Sequence, residues 1–498
     1  MATDLYAGID VGTQSVRALV VDADGEVHGA GSAPLTSRRD GPRHEQDPGQ
    51  WGDAVTTACT KALAGVPADA VRAVAVDATS GTVLLTDANG DAVTPGLMYD
   101  DIRAVDEAAE ISEAGRELWT ALGYGRMQPA WALPKLAWLL RHQPPPDAAR
   151  VAHQGDYITG LLAGRVVPVD TSTALKTGCD ARDLTWPGDL LDQLAVPTRM
   201  LPGLVLPGTP VGRVSPAASD ATGLPQQALI VAGMTDGCAA QLGSGALEPG
   251  SWNSVLGTTL VLKGVVPELV RDPYGAVYSH RSPDGAWLPG GASSSGAGAI
   301  TAQLPGRDLD ALAQAAPEYE PSSALAYPLA SARGERFPFV APDATGFVLG
   351  RPESDAELYA ALVQGIAYVE RLCFDYLDLL GAPTGGRVVL TGGSTRSPYV
   401  RQVRADVLER PLTLVENAEP ALGMAVLAAY GAGADAGNQS PLATYAAGMV
   451  RPAGTVEPRT GKAAAFHGPY LRLVDELAAR GWLAEHVAAH ARGRMGHT

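Results

Sequence analysis

Residues 5–25, LYAGIDVGTQSVRALVVDADG, decide how the rest of the chain is read. Leu5 to Asp10 is an apolar run ending in a carboxylate, a Gly12-Thr13 turn follows, and Val16 to Asp22 forms a second run. Asp24-Gly25 then suits a tight hairpin, because both residues tolerate the positive φ such turns demand, and a third run opens at Val27. The stretch is expected to be a β-meander. A similar strand, turn and strand unit recurs at Trp252 to Leu256, Gly257-Thr258-Thr259 and Leu260 to Lys263, so the chain reads as two halves of one design.

Working outward, Val71 to Asp77 (VRAVAVD) is a β-branched run that closes on the polar loop 78–81, as a buried strand should, and Val83 to Thr86 follows it. Leu229 to Met234 is another apolar strand, ending at Asp236-Gly237. Helices are expected from Trp51 to Leu63 and from Pro134, a residue suited to a first helical position. The Gly-rich stretch from Gly237 to Gly250 places the domain boundary near Gly245, giving residues 1–245 and 246–498. In the second half, Ser354 and Glu357 form a capping box. Apolar residues then recur at steps of three and four from Leu358 to Leu380, and Gly381 closes the helix. Arg387 to Leu390 reads as a strand and Pro398 to Leu408 as a helix, whereas the Ala- and Gly-rich C-terminal hundred residues are helical or loop. Strands alternating with helices in both halves define an α/β protein.

With 498 residues, 46% of them hydrophobic, the chain can bury a large core, which excludes a disordered polymer. Its 37 basic residues against 54 acidic ones give a net charge of −17, which repels phosphate backbones and argues against a general nucleic-acid binder. The four cysteines lie far apart without a CxxC pair, so zinc ribbons and disulfide frameworks are not expected. The N-terminus carries Asp4 and Asp10 where a secretory signal would be basic and then apolar, and no run of 18 apolar residues occurs. A cytoplasmic location, away from membranes, is the expectation.

Several familiar sites are missing. The only Gly-Lys pair, Gly461-Lys462, has Val456 where a P-loop needs its first glycine. His486 and His490 lack the glutamate of HExxH and read as a polar helix face. What remains are three glycine turns, each directly after an apolar strand: Asp10-Val11-Gly12-Thr13-Gln14-Ser15, Leu256-Gly257-Thr258-Thr259 and Thr391-Gly392-Gly393-Ser394. Glycine lets the backbone approach a phosphate oxygen, successive NH groups form an anion nest, and a Thr or Ser hydroxyl adds a donor. Asp10 is suited either to a magnesium ion held by bridging phosphates or to capping its own turn. Asp236 is suited either to accepting a proton from a substrate hydroxyl or to capping a helix that starts at Gly237.

The pattern resembles the FGGY carbohydrate kinases, the sugar-kinase branch of the actin-like ATPase fold. The resemblance rests on GIDVGTQSVRALVVDADG, EQDPGQW at 45–51, VAGMTDG at 231–237, SVLGTT, LTGGSTRSPYVRQVRAD and Glu419-Pro420-Ala421-Leu422-Gly423, in order over most of the chain. It implies two ribonuclease-H-like domains with an active-site cleft between them, the first holding the sugar and the second the nucleotide, with closure excluding water. By position, Asp236 would be the general base, Asp10 would organise Mg2+, through water, and Thr13 with Thr258 would lie near the transferring phosphate. Gly12, Gln14, Gly257 and Thr259 would complete the phosphate turns of the ATP site, and Gly392, Gly393 and Ser394 would line the adenosine side.

Typical bacterial xylulokinases carry a Met-His-Gly loop where this chain has Asp77-Ala78-Thr79-Ser80-Gly81. That loop, with HQGDYITGLLAGR at 153–165, TALKTGCD at 173–180 and GERFPF at 334–339, is more similar to the D-ribulose-kinase-type branch. Ser80 is the expected sugar contact, alongside Thr79 and Asp101, since every desolvated sugar hydroxyl needs a partner; the alternative for Ser80 is a bond to its own loop backbone. The expected reaction is ATP-dependent phosphorylation of a ketopentose, D-ribulose ahead of D-xylulose or another polyol. A non-catalytic nucleotide-binding protein is the competing class. The expected partners are the sugar and ATP, with a homodimer left open.

Overall fold

In the computed structural model, residues 3–146, 148–331 and 334–495 are described. The chain divides into two compact units, Met1–Leu247 with His280–Leu288 and Asn417–Arg451, and Glu248–Ser279 with Pro289–Glu416 and Pro452–Thr498. The first crossing, between Leu247 and Glu248, falls close to Gly245. The chain then returns to the first unit twice, where a single cut at 245 assigns everything after it to the second.

The first unit is built on a six-stranded sheet. Its strands are β1 (Leu5–Val11), β2 (Ser15–Asp22), β3 (Val27–Pro34), β4 (Val71–Ala78), β5 (Pro210–Arg213) and β6 (Leu229–Thr235), in the order β5-β6-β4-β1-β2-β3. The meander β1 to β3 is antiparallel, as its tight turns require, while β1, β4 and β6 run parallel. Parallel strands are covered on both faces, which is why β4 and β6 read as unbroken apolar runs rather than as alternation. Helix α1 (Pro48–Ala62) covers β2 and β3 through Trp51, Ala54, Val55, Ala58, Cys59 and Ala62; Asp47 caps it and Pro48 is its first residue. The helix Pro420–Asp435, apolar all round, lies against β1, β4 and β6. Its contact with β1 is so close that a Cβ on Gly8 would sit 1.8 Å from the Ala421 carbonyl oxygen.

The second unit repeats this plan. Its strands are β7 (Trp252–Leu256), β8 (Leu260–Gly264), β9 (Tyr278–Arg281), β10 (Trp287–Ala292), β11 (Val388–Thr391), β12 (Leu412–Val415) and β13 (Pro452–Val456), in the order β9-β10-β8-β7-β11-β12-β13. β7 pairs antiparallel with β8 and parallel with β11, as β1 does with β2 and β4. Helix α3 (Asp355–Leu379) is capped by the Ser354 hydroxyl on the Glu357 amide, and Gly381 follows its end at φ 83°. Glu357 does not close the reciprocal half of the box; its carboxylate turns to the Glu353 and Ser323 amides. Helix α4 (Pro398–Leu408) meets α3 through a fully enclosed ion pair, Arg404 to Glu370 at 2.7 and 2.8 Å, which also binds the Ser254 hydroxyl on β7. The helix expected from Pro134 spans Ala132–His142, two residues earlier. All four cysteines are free and buried, and among the described residues no helix is long and apolar enough to cross a membrane.

Candidate active site

Strand register in the first unit gathers three carboxylates. Asp10 on β1 pairs with Asp77 on β4 in parallel register, and Asp77 pairs with Met234 on β6, two residues before Asp236. Asp236 is the first residue of helix α2 (Asp236–Gly243), not the cap of one beginning at Gly237; Thr235 holds the cap position. Its Oδ1 accepts from the Gly237 amide at 2.7 Å, and the Thr235 amide before it is fixed by the Ser172 hydroxyl at 3.1 Å. Asp10 and Asp77 are buried and Asp236 is half-buried.

Burial, then the neighbouring Asp236 charge, pushes Asp10 up to about 6. Burial, then the charges of Asp10 and Asp236, holds Asp77 well above the usual carboxylate range. Asp77 is wholly enclosed and neither of its oxygens finds a hydrogen-bond partner among the described residues, so burial favours its neutral form. The Asp10 carboxylate is a hard oxygen donor of the kind magnesium takes when it is held by one or two carboxylates, waters and substrate phosphates, so it fits that ion.

The turn after β1 is braced from a distance. The Gly12 amide donates to the Ser15 carbonyl at 3.1 Å, and the exposed Gln14 accepts from the Leu35 amide at 2.8 Å through its backbone. The Gln46 side chain donates to the Thr13 carbonyl at 2.7 Å and accepts from the Trp51 indole at 2.7 Å. This gives the EQDPGQW segment a physical reason: Trp51 is buried under α1 and Gln46 relays that anchor to the turn. Tyr99 lies beside this turn, its hydroxyl raised by burial and then by the Asp100 charge, against a lowering contribution from the Thr13 side chain.

The loop after β4 carries Thr79 and Ser80. The Thr79 hydroxyl is committed internally, to Gln154 Oε1 at 2.6 Å and to the Thr82 hydroxyl at 2.5 Å. The Ser80 carbonyl accepts from the Lys176 ammonium at 3.0 Å, and its Oγ is enclosed without a hydrogen-bond partner, so the alternative of a bond to its own loop is not what the side chain makes. The segments 153–165 and 173–180 therefore converge on this loop, through Gln154 and Lys176. Asp101 is fully enclosed: Arg103 grips both its oxygens at 2.9 and 3.1 Å, and the His44 amide takes Oδ2 at 2.8 Å. Thr79 and Asp101 thus already have protein partners that brace their loops.

In the second unit, Gly257, Thr258 and Thr259 form the turn between β7 and β8, with the Gly257 amide donating to the Thr259 carbonyl at 3.1 Å. Gly392 ends β11 at φ 88°, and a Cβ there would lie 2.6 Å from the Leu256 carbonyl oxygen. Only glycine brings the turn Gly392, Gly393, Ser394 directly beside Gly257. Thr391 adds a hydroxyl bond to Asn253 Oδ1 at 2.8 Å across the same pair of strands. His486 stacks on Tyr274 and His490 pairs with Asp378, as a polar helix face does.

Sequence reasoning missed Asp77 and Tyr99 as members of the site and Gln46, Gln154 and Lys176 as its supports. Asp77 had a usable signal, since VAVD ends in the same way as AGID and parallel strands align such ends. The other four act over tens of residues in sequence and leave no local pattern.

Family models described as the FGGY family of carbohydrate kinases match this chain, the N-terminal domain over residues 5–243 and the C-terminal domain over residues 253–432. A xylulose kinase of Streptomyces coelicolor is 31% identical over 440 residues, covering 85% of this chain and 87% of that protein. A xylulose kinase of Escherichia coli is 29% identical, covering 85% and 89%. Among solved structures, a kinase of Brucella ovis described as a xyloylose kinase superposes with a TM-score of 0.87 at 25% identity over 96% of this chain and 99% of that one. A xylulose kinase of Rhodospirillum rubrum gives 0.84 at 26%, covering 95% and 98%.

Proposed function

The chain belongs to the FGGY family of carbohydrate kinases and is a sugar phosphotransferase, and we propose that it transfers the γ-phosphoryl group of ATP to the terminal hydroxyl of D-ribulose, giving D-ribulose 5-phosphate and ADP. Family membership sets aside the non-catalytic alternative. One observation carries the mechanism: the register of β1, β4 and β6 brings Asp10, Asp77 and Asp236 together.

Asp236 accepts the proton of the sugar hydroxyl as its oxygen bonds to the γ-phosphorus and the bond from that phosphorus to the β-phosphate oxygen breaks. The enclosed Asp77, whose neutral form burial favours, lies beside Asp10 in the strand register. The Thr13 turn and, in the second unit, the Gly257 to Thr259 and Gly392 to Ser394 turns present amides and hydroxyls to phosphate oxygens. Asp10 would hold Mg2+, through water, which when bound neutralises charge on the phosphates. The Ser80 hydroxyl, enclosed with no protein partner, supports the choice of D-ribulose. D-xylulose is the second reading, favoured by the xylulose kinases among the relatives.

ADP release from Mg-ATP is to be measured with D-ribulose, D-xylulose, L-ribulose, glycerol and no sugar. D-ribulose is expected to give the highest kcat/KM, and a tenfold preference for D-xylulose would reverse the two readings. Asp236→Asn is expected to lower sugar-dependent turnover ~10²- to 10⁴-fold with ATP binding within twofold; turnover near the parent value would remove Asp236 as the base.

A further inference from the structure

We propose that Glu335 is a positioning residue for the nucleotide side, holding the Gly257 to Thr259 turn in shape through the segment Ser293 to Gly298. The inference rests on reading the second unit as the nucleotide-binding one, and it uses residues of that unit alone.

Glu335 is 2% exposed and, among the described residues, no cation pairs with it. An enclosed carboxylate without a counter-charge is expensive unless donors surround it, and here they do. Oε2 accepts from the hydroxyls of Ser293 at 2.9 Å, Tyr327 at 2.9 Å and Ser295 at 3.3 Å. Oε1 accepts from the amides of Ser294 at 2.6 Å and Arg336 at 2.9 Å. Three of these five donors belong to residues 293–295. The glutamate itself is fixed by a reciprocal backbone bridge to Ala341 at 2.9 and 3.0 Å.

The segment it grips is stitched to the phosphate turn by backbone bonds along its length. The Ser293 amide donates to the Leu260 carbonyl at 2.9 Å, and the Leu260 amide donates to the Ser295 carbonyl at 2.8 Å. The Ala297 amide donates to the Gly257 carbonyl at 3.0 Å and the Gly298 amide to the Thr258 carbonyl at 3.1 Å. Those last two bonds tie down the Gly257 and Thr258 carbonyls, while the Gly257 amide closes the turn on the Thr259 carbonyl, so the Thr258 and Thr259 amides are the ones left to a phosphate. A buried charge is therefore spent on shaping one turn, a place where an apolar pair would pack at lower cost. The glutamate of GERFPF, which no step of the proposed reaction uses, thereby acquires a role.

The two oxygens divide their work, and this makes the idea separable from simple loss of fold. In Glu335→Gln the retained oxygen can keep the two amides, and the two hydrogens of the new NH2 can donate to two of the three hydroxyls, each of which also accepts. Nucleotide affinity of this variant is expected within about threefold of the parent. Glu335→Ala is expected to weaken ATP and ADP binding at least tenfold, measured by calorimetry on the full chain, and to raise KM for ATP with KM for the sugar unchanged. Tyr327→Phe, which removes one hydroxyl, gives an intermediate loss should the alanine variant not fold. Equal losses in both KM values, or unaltered ADP binding in Glu335→Ala or in Tyr327→Phe, would overturn the inference. Failure of the parent protein to bind ADP at all would instead overturn the nucleotide reading beneath it.

Discussion

Replacing Gly8 by alanine tests the contact that carries the helix Pro420–Asp435 to β1, the strand that bears Asp10. The added Cβ would lie 1.8 Å from the Ala421 carbonyl oxygen and 2.6 Å from the Ala425 amide nitrogen, where ordinary contacts begin at 3.4 Å. Both obstacles are backbone, so no rotamer change relieves them, and strand and helix must part by about 1.6 Å. Overpacking of this kind costs ~1–3 kcal/mol, equivalent to a fall in Tm of several degrees at ~2–4 °C per kcal/mol. Asp10 lies two residues further along β1, on the same face, so it moves with the strand, and a ~1 Å misplacement of a reacting group can cost on the order of 10²-fold in rate. Gly8→Ala is therefore expected to lower Tm and to cut kcat/KM at least tenfold. Gly493→Ala is the control: a Cβ there meets nothing within 4 Å inside the helix Glu485–Met495, and the same change should raise stability by ~0.5–1 kcal/mol. Thermal melts and initial rates on the three proteins decide the matter. A Gly8→Ala protein within 1 °C and twofold of the parent would refute the close approach.

Two further perturbations concern buried charge. Lys135 is wholly enclosed on the helix Ala132–His142, donating to the carbonyls of Met98 at 2.6 Å and Leu97 at 3.3 Å, and burial pulls its ammonium down to about 7. Between pH 7 and the unfolded value of 10.5 the unfolded chain binds the extra proton. The parent should thus gain stability over Lys135→Met by up to ~1.4 kcal/mol per pH unit across that window and by nothing below it; denaturant midpoints at pH 6, 7.5 and 9 that keep a constant difference would contradict this. Arg404→Leu leaves Glu370 enclosed without its cation and should cost ~3–5 kcal/mol, whereas Arg404→Leu with Glu370→Leu should recover most of the loss. A double variant as unstable as the sum of the singles would show the pair to be uncoupled.

Much of the architecture was legible because local demands leave local marks. The meander β1 to β3 follows from apolar runs and tight turns, and α4 begins and ends where Pro398 and the apolar spacing place it. The turn at Gly12 and Thr13 that follows β1 was readable for the same reason. What could not be read depends on partners far away in sequence. Thr79 and Asp101 look available in a string of polar residues, yet Gln154 and Arg103 occupy them. Asp77 needs the register of β4 against β1 before it becomes the third member of a cluster.

The Ala- and Gly-rich end of the chain shows the distinction best. From composition it offered neither a clear amphipathic face nor a turn, because the helix Pro420–Asp435 is apolar on every side. That is the mark of a helix buried all round rather than of an uninformative one. Its small residues let its backbone reach β1 at Gly8, and Glu419, which precedes it, lies close enough to add to the raised affinity of Asp10 for its proton. The Glu419 to Gly423 motif thus acts on the catalytic strand from over four hundred residues away. A boundary drawn once along the sequence separates the two, whereas the sheet of the first unit is covered only when the chain comes back to it.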